Sequence, residues 1–495
     1  MVAPSTGLRD ALERSLGRFI DEYQRYSYIE AYLTGKHDPP YVPKHAHREY
    51  RNLLQQSVLN FLPLIVTAVA QQLYVEGYRK PDSPDDDSAW EYWRRNSMDA
   101  WQHSAHRDAL SYGVSYILVL PGDKAPVIRP VSPLAMTALY EDPIHDEWPV
   151  WALHHSIDYT TGTKRSKVHL YDATNVHTYV GDYALGVAID LDSFELVETK
   201  AHGLGVCPVV RMRNTLSLSP NVAPAGEIES LIPTQDRLNN LVLSESMIAQ
   251  YASFRQRWAT GLVIPEDPAT GRPVEPFNAA VNRLWVSDST DTKFGEFAES
   301  DITKILAAIN ETVKHMSAIS QVPPVYLLGD IVNMSAEALA ASEAGLQRKV
   351  TEKRTVFGEA WAQVMRLAVV ADGATTAESQ YDNRIVWRDT EARSMASTVD
   401  ALGKLSQMLH VPPEALWERV PGVTSSDVAA WKQMAQEADS LRTMLGMLDS
   451  QAATLGARQA RPAGRDKARP GTNIPGVPTT AEDGHGTPSE KKRDT

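Results

Sequence analysis

Three long helical patterns separated by two short segments limit the possible folds of this chain more than any other feature. Apolar residues recur at helical spacing over 227–260, 300–320 and 335–371, and the last pattern would form a helix about 50 Å long. A turn-rich segment with strand-like pieces, 261–299, separates the first two patterns, and a mainly apolar segment, 321–334, separates the last two. Helices of this length expose broad apolar faces unless neighbouring copies cover them, which favours a ring-like assembly.

The apolar segment QVPPVYLLGDIVNM is unusual because connections between helices normally lie at the surface and are polar. Pro323 and Pro324 end the preceding helical pattern, and Ser335 is a suitable N-cap for the helix that follows. In a closed ring of tilted helices, neighbouring chains would shield this loop, and it would face a central channel. The alternative is that the segment serves only as packing between subunits.

The N-terminal part of the chain predicts an α+β protein. Because 495 residues exceed the roughly 250–300 that one core usually holds, several packed units are expected. Helical patterns occupy 8–35, 45–75 and 90–113. Short β-branched and aromatic runs, broken by Gly, Pro and Asp, follow over 114–212 and predict antiparallel strands.

The C-terminal part predicts one more strand, several helices and a disordered tail. A strand-like run, NRIVWRD, lies at 383–389, and helical segments are expected near 394–410, 413–420 and 425–449. From residue 456 onward the composition turns to Arg, Pro, Gly and Thr. Such a segment cannot bury enough apolar surface to offset its ordering entropy, so disorder is expected there.

Composition excludes several protein classes. With 49 Lys and Arg against 62 Asp and Glu, the net charge is −13, which is not the basic surplus of a conventional nucleic-acid-binding protein. A single cysteine, Cys207, rules out an internal disulfide framework and indicates a reducing cytoplasm. The longest apolar run, 61–70, is half of the about 20 residues that span a bilayer, and the N-terminus lacks the apolar core of a signal peptide. The sequence therefore predicts a soluble protein with no membrane partner.

Motifs for nucleotide or acyl-transfer chemistry are missing from the sequence. It contains no GxxxxGKS or GxxxxGKT phosphate loop, no strand-bound GxGxxG and no GxSxG nucleophile elbow. We therefore predict that the chain is not an enzyme, that it needs no cofactor, and that it has no catalytic residues.

Histidines are the most enzyme-like residues of the chain. His103 and His106 are three apart on a predicted helix, and His154 and His155 are adjacent, but a zinc site would need a third ligand, and the HExxH pattern is absent. The acidic run at 82–88 lacks the Gly and the distal Glu of a calcium loop. The sequence therefore predicts no metal site. The alternative from a different class is a metal-dependent nucleic-acid-processing enzyme that uses these histidines or acidic residues.

The segment ISQVPPVYLLGDIVNMSAEALAASEAGLQRKVTEKRTVFGEAWAQVMRLA, residues 319–368, carries a family resemblance. Together with the order of the elements, it resembles the portal proteins of tailed bacteriophages, specifically the SPP1-type group common among actinobacterial phages. The resemblance implies a portal-type protomer with an α/β wing, a long-helix stem, a small β-like clip, a helical crown and a disordered C-terminal tail. The implied regions are a wing at 1–226, a first stem helix at 227–260, a clip at 261–299, a second stem helix at 300–320, a tunnel loop at 321–334, a long helix at 335–371, a wing return strand at 372–393, a crown at 394–455 and a disordered tail at 456–495.

The resemblance also implies two functional groups of residues. The first would line the narrowest belt of a DNA channel: Pro323, Pro324, Tyr326, Leu327, Leu328, Asp330, Ile331, Val332 and Asn333. The second would dock partner proteins at the clip: Arg272, Asn282, Arg283, Trp285 and Lys293.

The partners implied by the resemblance are those of a virion component at one capsid vertex, assembled in the host cytoplasm. They are further copies of the chain in a ring of twelve, double-stranded DNA bound without sequence specificity, the large terminase that supplies packaging energy, a head–tail connector protein, and capsid and scaffold proteins. Another head–tail connector ring protein is the related alternative. Such proteins are usually much shorter than 495 residues and lack three long helices around a tip, so the length disfavours this alternative.

Overall fold

Helices and antiparallel sheets are both present in the chain, which confirms the predicted α+β class. The computed structural model divides the chain into two units, residues 1–390 and 391–495. It describes residues 6–42, 47–79, 88–159, 162, 164–182, 191–219, 222–252, 257–261, 268, 271, 291–296, 301–329, 336–373, 383–388, 395–420, 423 and 425–459.

Three helices open the first unit: α1 (Thr6–Leu33), α2 (His47–Gln56) and α3 (Leu62–Ala70). The continuous helical pattern at 45–75 is therefore divided. Pro63 lies in the first turn of α3, where its missing N–H is tolerated, whereas inside a longer helix it would remove a hydrogen bond and clash with the preceding turn. Strand β1 (Val75–Arg79) follows α3.

The next helical pattern, 90–113, is also divided, into α4 (Trp90–Arg95) and α5 (Met98–Tyr112). Ser97 has φ 53°, a left-handed conformation that breaks the helix. The neighbouring Asn96 side chain stabilises the break, because its amide donates to the carbonyl of Pro126 at 2.8 Å.

Two antiparallel sheets fill the region from 114 to 213, as the sequence predicted. Their strands are β2 (Val114–Leu120), β3 (Val127–Val131), β4 (Met136–Leu139), β5 (Trp151–Asp158), β6 (Arg165–Tyr171), β7 (Asn175–Asp182), β8 (Glu195–Ala201) and β9 (Val209–Arg213). One sheet has the order β3-β2-β9 and the other β4-β5-β6-β7-β8. Strand β8 falls within this predicted region although it is largely exposed and rich in charge, as is usual for a protected sheet edge.

The region after the two sheets begins with α6 (Ile232–Ala252), which is followed by paired strands β10 (Arg257–Thr260) and β11 (Lys293–Glu296). The predicted helix through Trp258 is therefore wrong, because Trp258 lies in β10. It pairs with Gly295, where a Cβ atom would come within 2.4 Å of the indole ring. A glycine opposite the tryptophan leaves room for the ring, which favours a strand pair over a longer helix.

Three further helices complete this region: α7 (Ile302–Ser320), α8 (Pro324–Leu328) and α9 (Ala336–Ala371). Helix α9 matches the predicted long helix to within one residue at its start. It packs against strands β2 and β9 and against β12 (Arg384–Trp387). Strand β12, predicted from NRIVWRD, pairs antiparallel with β1, so the chain returns to its N-terminal region.

The second unit is helical where it is described. It contains α10 (Met395–Leu409), two short 3-10 turns and α11 (Ser425–Gln459). The predicted disordered tail at 456–495 is corrected at its start, because α11 continues to Gln459. Residues 460–495 lie outside the described part of the chain. In the described helices, no stretch is both long and apolar enough to cross a membrane.

Close backbone contact at Gly226 gives a first test of the packing. A Cβ atom there would lie 1.9 Å from the carbonyl oxygen of Ser111. We expect Gly226→Ala to lower the free energy of unfolding by about 1–3 kcal/mol, because the backbone must shift. Gly345→Ala, inside α9 with nothing within 4 Å of its new Cβ, should raise it by about 0.5–1 kcal/mol. Urea unfolding measures both; equal effects of the two variants would contradict this packing.

Candidate functional site

The apolar segment after α7 contains a short helix, α8, in place of the expected loop. Pro324 at the first helical turn sets a helical φ, and Gly329, with φ 70°, ends the helix. Gln321, with φ 57°, ends α7 just before it. The two prolines thus separate two helices rather than starting an irregular loop.

Helix α8 packs against α3 and α7. Leu327 is only 6% exposed and belongs to the main hydrophobic core, and Tyr326 and Leu328 pack against that core from partly buried positions. The Tyr326 hydroxyl donates to Oε1 of Glu343 on α9 at 2.9 Å. Pro323 is also buried. The expected exposure of Leu327 on a channel wall is therefore corrected, because this side chain packs within its own chain.

The remaining residues expected in the channel belt are Asp330, Ile331, Val332 and Asn333, and they lie outside the described residues. Of the residues expected to dock partners at the clip, Lys293 is described and exposed, in β11 opposite Thr260. The other four, Arg272, Asn282, Arg283 and Trp285, lie outside the described residues.

A buried charge cluster, formed by Glu227, Lys349 and Lys353, lies beside the end of α7. Lys353 Nζ is 2.9 Å from Glu227 Oε1, and Lys349 Nζ forms an ion pair with Glu227 Oε2. Lys353 also donates to the carbonyl of Asn214 at 2.9 Å, and Lys349 to the carbonyl of Ser320 at 2.8 Å. The cluster therefore connects α9 with the end of α7, the chain after β9 and the chain before α6.

Electrostatics keep Glu227 ionised. Burial raises the pKa of its carboxyl, but the attraction of Lys349 and Lys353 outweighs burial, and the net effect is a lowered pKa. The cluster thus holds two cations and one anion. Sequence analysis missed it, although Lys353 falls on the apolar stripe of α9 between Val350 and Phe357, where a charge needs a buried partner.

A second polar contact connects α1 with the start of α6. The Arg25 guanidinium donates to both carboxylate oxygens of Glu229, at 2.9 and 2.6 Å, and the Tyr32 hydroxyl donates to Asp236 at 2.9 Å. A bidentate arginine–carboxylate pair fixes relative orientation as well as distance. The N-terminal helix is therefore held at the base of α6.

The histidines considered for metal binding have other contacts. His106 is fully buried, and its Nε2 accepts a hydrogen bond from Trp361 Nε1 at 2.8 Å. Burial lowers the pKa of His106 to about 3, so the ring is neutral. His155 Nε2 lies 3.1 Å from Ser166 Oγ, and His154 stacks on His169. Within the described residues, no group of three or more His, Cys, Asp or Glu side chains is placed to hold a metal.

Known proteins similar to this chain agree on one family. The family model described as "Phage portal protein, SPP1 Gp6-like" matches residues 12–441. The portal protein of Mycobacterium phage D29 is 26% identical over 426 residues, which cover 82% of this chain and 85% of the relative. That of Mycobacterium phage L5 is 25% identical over 429 residues, with the same coverage.

Two solved structures are also similar to this chain. They are described as the neck of a native GTA particle computed with C12 symmetry, with a TM-score of 0.44 and 12% identity, and the neck of an empty GTA particle computed with C6 symmetry, with a TM-score of 0.42 and 13% identity. In both comparisons the similarity extends over 78% of this chain and 96% of the matched chain. Because the family model spans most of the sequence, from residue 12 to 441, the chain belongs to the SPP1 Gp6-like family of phage portal proteins.

Proposed function

We propose that copies of this chain form a closed ring of about twelve subunits at one capsid vertex, through which double-stranded DNA passes during packaging and ejection. The ring needs no sequence readout, because the DNA must slide through it. The protein has no catalytic role in this proposal. The large terminase supplies the energy.

The observation that carries this proposal is apolar surface that the chain leaves uncovered on α7. Val313 and Met316 of α7 are buried within the chain, yet Leu306 and Ile319 of the same helix are 41% and 53% exposed. These positions follow one another along one apolar stripe at helical spacing, and its own chain covers only part of that stripe. Side-by-side packing of α7 against the next copy in a ring would cover the exposed part.

The net charge of the chain supports a channel through which DNA slides rather than one that binds DNA tightly. Each phosphate contact by Lys or Arg adds affinity through counterion release, so a strongly cationic channel would hold the DNA. A chain with net charge −13 avoids this. Within the segment 321–334, the proposed lining shifts to Asp330, Ile331, Val332 and Asn333, with α8 as the packed base that holds them. Asp330 and Asn333 would space the phosphates by repulsion and hydrogen bonding.

The clip region is proposed as the docking site for proteins outside the capsid. The large terminase would bind there first, and a head–tail connector protein later. The residues proposed for this contact are Arg272, Asn282, Arg283, Trp285 and Lys293. Exposed Trp258 and Phe294 on the paired strands β10 and β11 add apolar surface of the kind that protein contacts use. Capsid and scaffold proteins would meet the ring during assembly in the host cytoplasm.

Electron microscopy of the purified full chain, with mass determination, tests this proposal. We expect closed rings of about twelve copies with an axial channel wide enough for duplex DNA. A monodisperse monomer or dimer at high concentration would contradict it. In that case metal analysis with nuclease and ATPase assays would test the enzyme alternative.

A further inference from the structure

A groove of about 370 Å³ lies between the end of β9 and the middle of α9. Arg211 and Arg213 of β9 line one part of it, and Val356 and Ala360 of α9 line another. Leu216, which is 61% exposed, lies at the same groove. The groove therefore combines the two arginines of β9 with apolar side chains of α9; a third arginine in its lining, Arg366, is paired with Glu147.

Both arginines are held in place without being neutralised. Arg211 donates to the carbonyl of Pro143 at 2.7 Å, and its guanidinium lies 3.9 Å from the centre of the Tyr140 ring. Arg213 donates to the carbonyl of Ile144 at 3.3 Å and more weakly to that of Pro143 at 3.5 Å. Carbonyls and an aromatic ring fix the two guanidiniums, but they carry no negative charge.

Two other part-buried arginines of this unit differ, since Arg25 pairs with Glu229 and Arg366 with Glu147. Among the described residues, neither Arg211 nor Arg213 forms an ion pair with a carboxylate. Burial and the charge of Arg211 lower the pKa of Arg213, which is the effect of two cations placed together without an anion.

We propose that this groove binds a carboxylate side chain, and an apolar residue beside it, from a neighbouring copy of this chain. The inference rests on the proposed ring, which places a second copy next to each subunit. An Arg pair matches the two oxygens of a carboxylate, and charge-assisted hydrogen bonds of this kind are about twice as strong as neutral ones. The acidic surplus of the chain, 62 Asp and Glu against 49 Lys and Arg, supplies such groups.

The chain next to the groove indicates a protein partner. Leu216, Leu218 and Val222 follow β9 and are 61%, 85% and 57% exposed. Three large apolar side chains exposed in one short segment are typical of a protein–protein contact. They would pack against the apolar residue that accompanies the bound carboxylate.

Acidic residues of the groove disfavour nucleic acid. Asp146, Glu147 and Glu359 also line it. One carboxylate has to approach only the two arginines, whereas the evenly spaced phosphates of a nucleic acid would also meet these acidic groups and be repelled.

Site-specific photo-crosslinking in the purified full chain tests this proposal. A benzoylphenylalanine introduced at Leu216 should cross-link to a second copy, and mass spectrometry should find an Asp or Glu in the cross-linked peptide. The double variant Arg211→Gln/Arg213→Gln should reduce the yield roughly tenfold or more, because it removes the charge-assisted hydrogen bonds to the carboxylate. Arg211→Lys/Arg213→Lys should restore part of the yield, since it keeps both charges.

Arg129→Gln is the matched control, because Arg129 is exposed on β3 of the same sheet. It should leave the yield unchanged, and thermal melting should show that all variants are folded. Rings without this cross-link, or a cross-link unaffected by loss of both arginines, would overturn the groove proposal and leave the portal proposal intact. Suppression of the cross-link by a short DNA duplex would assign the groove to nucleic acid instead. Absence of both rings and cross-link would count against both proposals.

Discussion

Glu227→Gln should lower the free energy of unfolding by about 3–5 kcal/mol, the cost of leaving a buried charge without its partner. In the folded chain, Lys349 and Lys353 both pair with this carboxylate. A glutamine has a similar shape but no charge, so the two ammonium groups would repel each other inside the core. Because the cluster joins α9 to the end of α7 and to the chain before α6, the loss should extend beyond one contact.

Urea unfolding at one fixed protein concentration measures this effect, since assembly makes the midpoint depend on concentration. Glu352→Gln provides the control, because Glu352 is exposed on the same helix, α9. The control should change the free energy of unfolding by no more than about 0.5 kcal/mol. Similar stability of the two variants would show that the buried ion pairs add nothing net to folding.

The pH dependence of the difference in unfolding free energy between wild-type protein and Glu227→Gln gives an independent check. The folded-state pKa of Glu227 is lowered, so its stabilisation is present above the unfolded-state pKa of about 4.3 and is lost as pH falls through the folded-state value. Wild-type protein should therefore lose its advantage over Glu227→Gln below about pH 4.3. A difference that grows on acidification would contradict the assigned ionisation.

Local sequence signals predicted the long helices well and their interruptions less well. The apolar stripe and the N-cap residue Ser335 predicted a helix over 335–371, and α9 spans Ala336–Ala371. The split at Pro63 followed from proline chemistry that the apolar pattern had concealed. Trp258 was assigned to a helix because its spacing fits one, but its position is set by Gly295, which is distant in sequence and leaves room for its ring. Pairing between distant residues is not encoded in local periodicity.

The candidate site shows the same limit. The run that contains Leu327 is apolar, and from the sequence alone it could pack in its own chain, pack against a neighbouring copy or line a channel. In the structure, Leu327 packs in the core of its own chain. The Glu227 cluster is formed by residues from distant parts of the chain. Its only sign in the sequence is Lys353, a lysine on an apolar helix stripe. Arg211 and Arg213 likewise alternate along β9 as ordinary polar residues, and their missing carboxylate becomes evident only in three dimensions.

Leu327→Ala is the second substitution for which we expect a large effect, a loss of about 2–5 kcal/mol in the free energy of unfolding. Leu327 is 6% exposed in the main core, on the short helix that packs against α3 and α7. Removing three carbons there leaves a cavity in the core, whose cost adds to the lost burial of the side chain. Urea unfolding measures the loss, and Leu327→Met, which conserves volume, should cost less than about 1.5 kcal/mol.

Leu64→Ala is the matched control, because Leu64 is exposed on α3, the helix that α8 contacts, and should cost far less. The comparison separates two roles for Leu327. If it lined the channel instead of the core, Leu327→Ala would leave unfolding unchanged while particles carrying it packaged DNA poorly. If Leu327 packs within the chain, Leu327→Ala should lower the free energy of unfolding. Packaging of DNA should then be impaired only to the extent that fewer rings assemble. Substitutions at Asp330 or Asn333 that impair packaging without a loss of stability would then place the DNA contact just beyond α8.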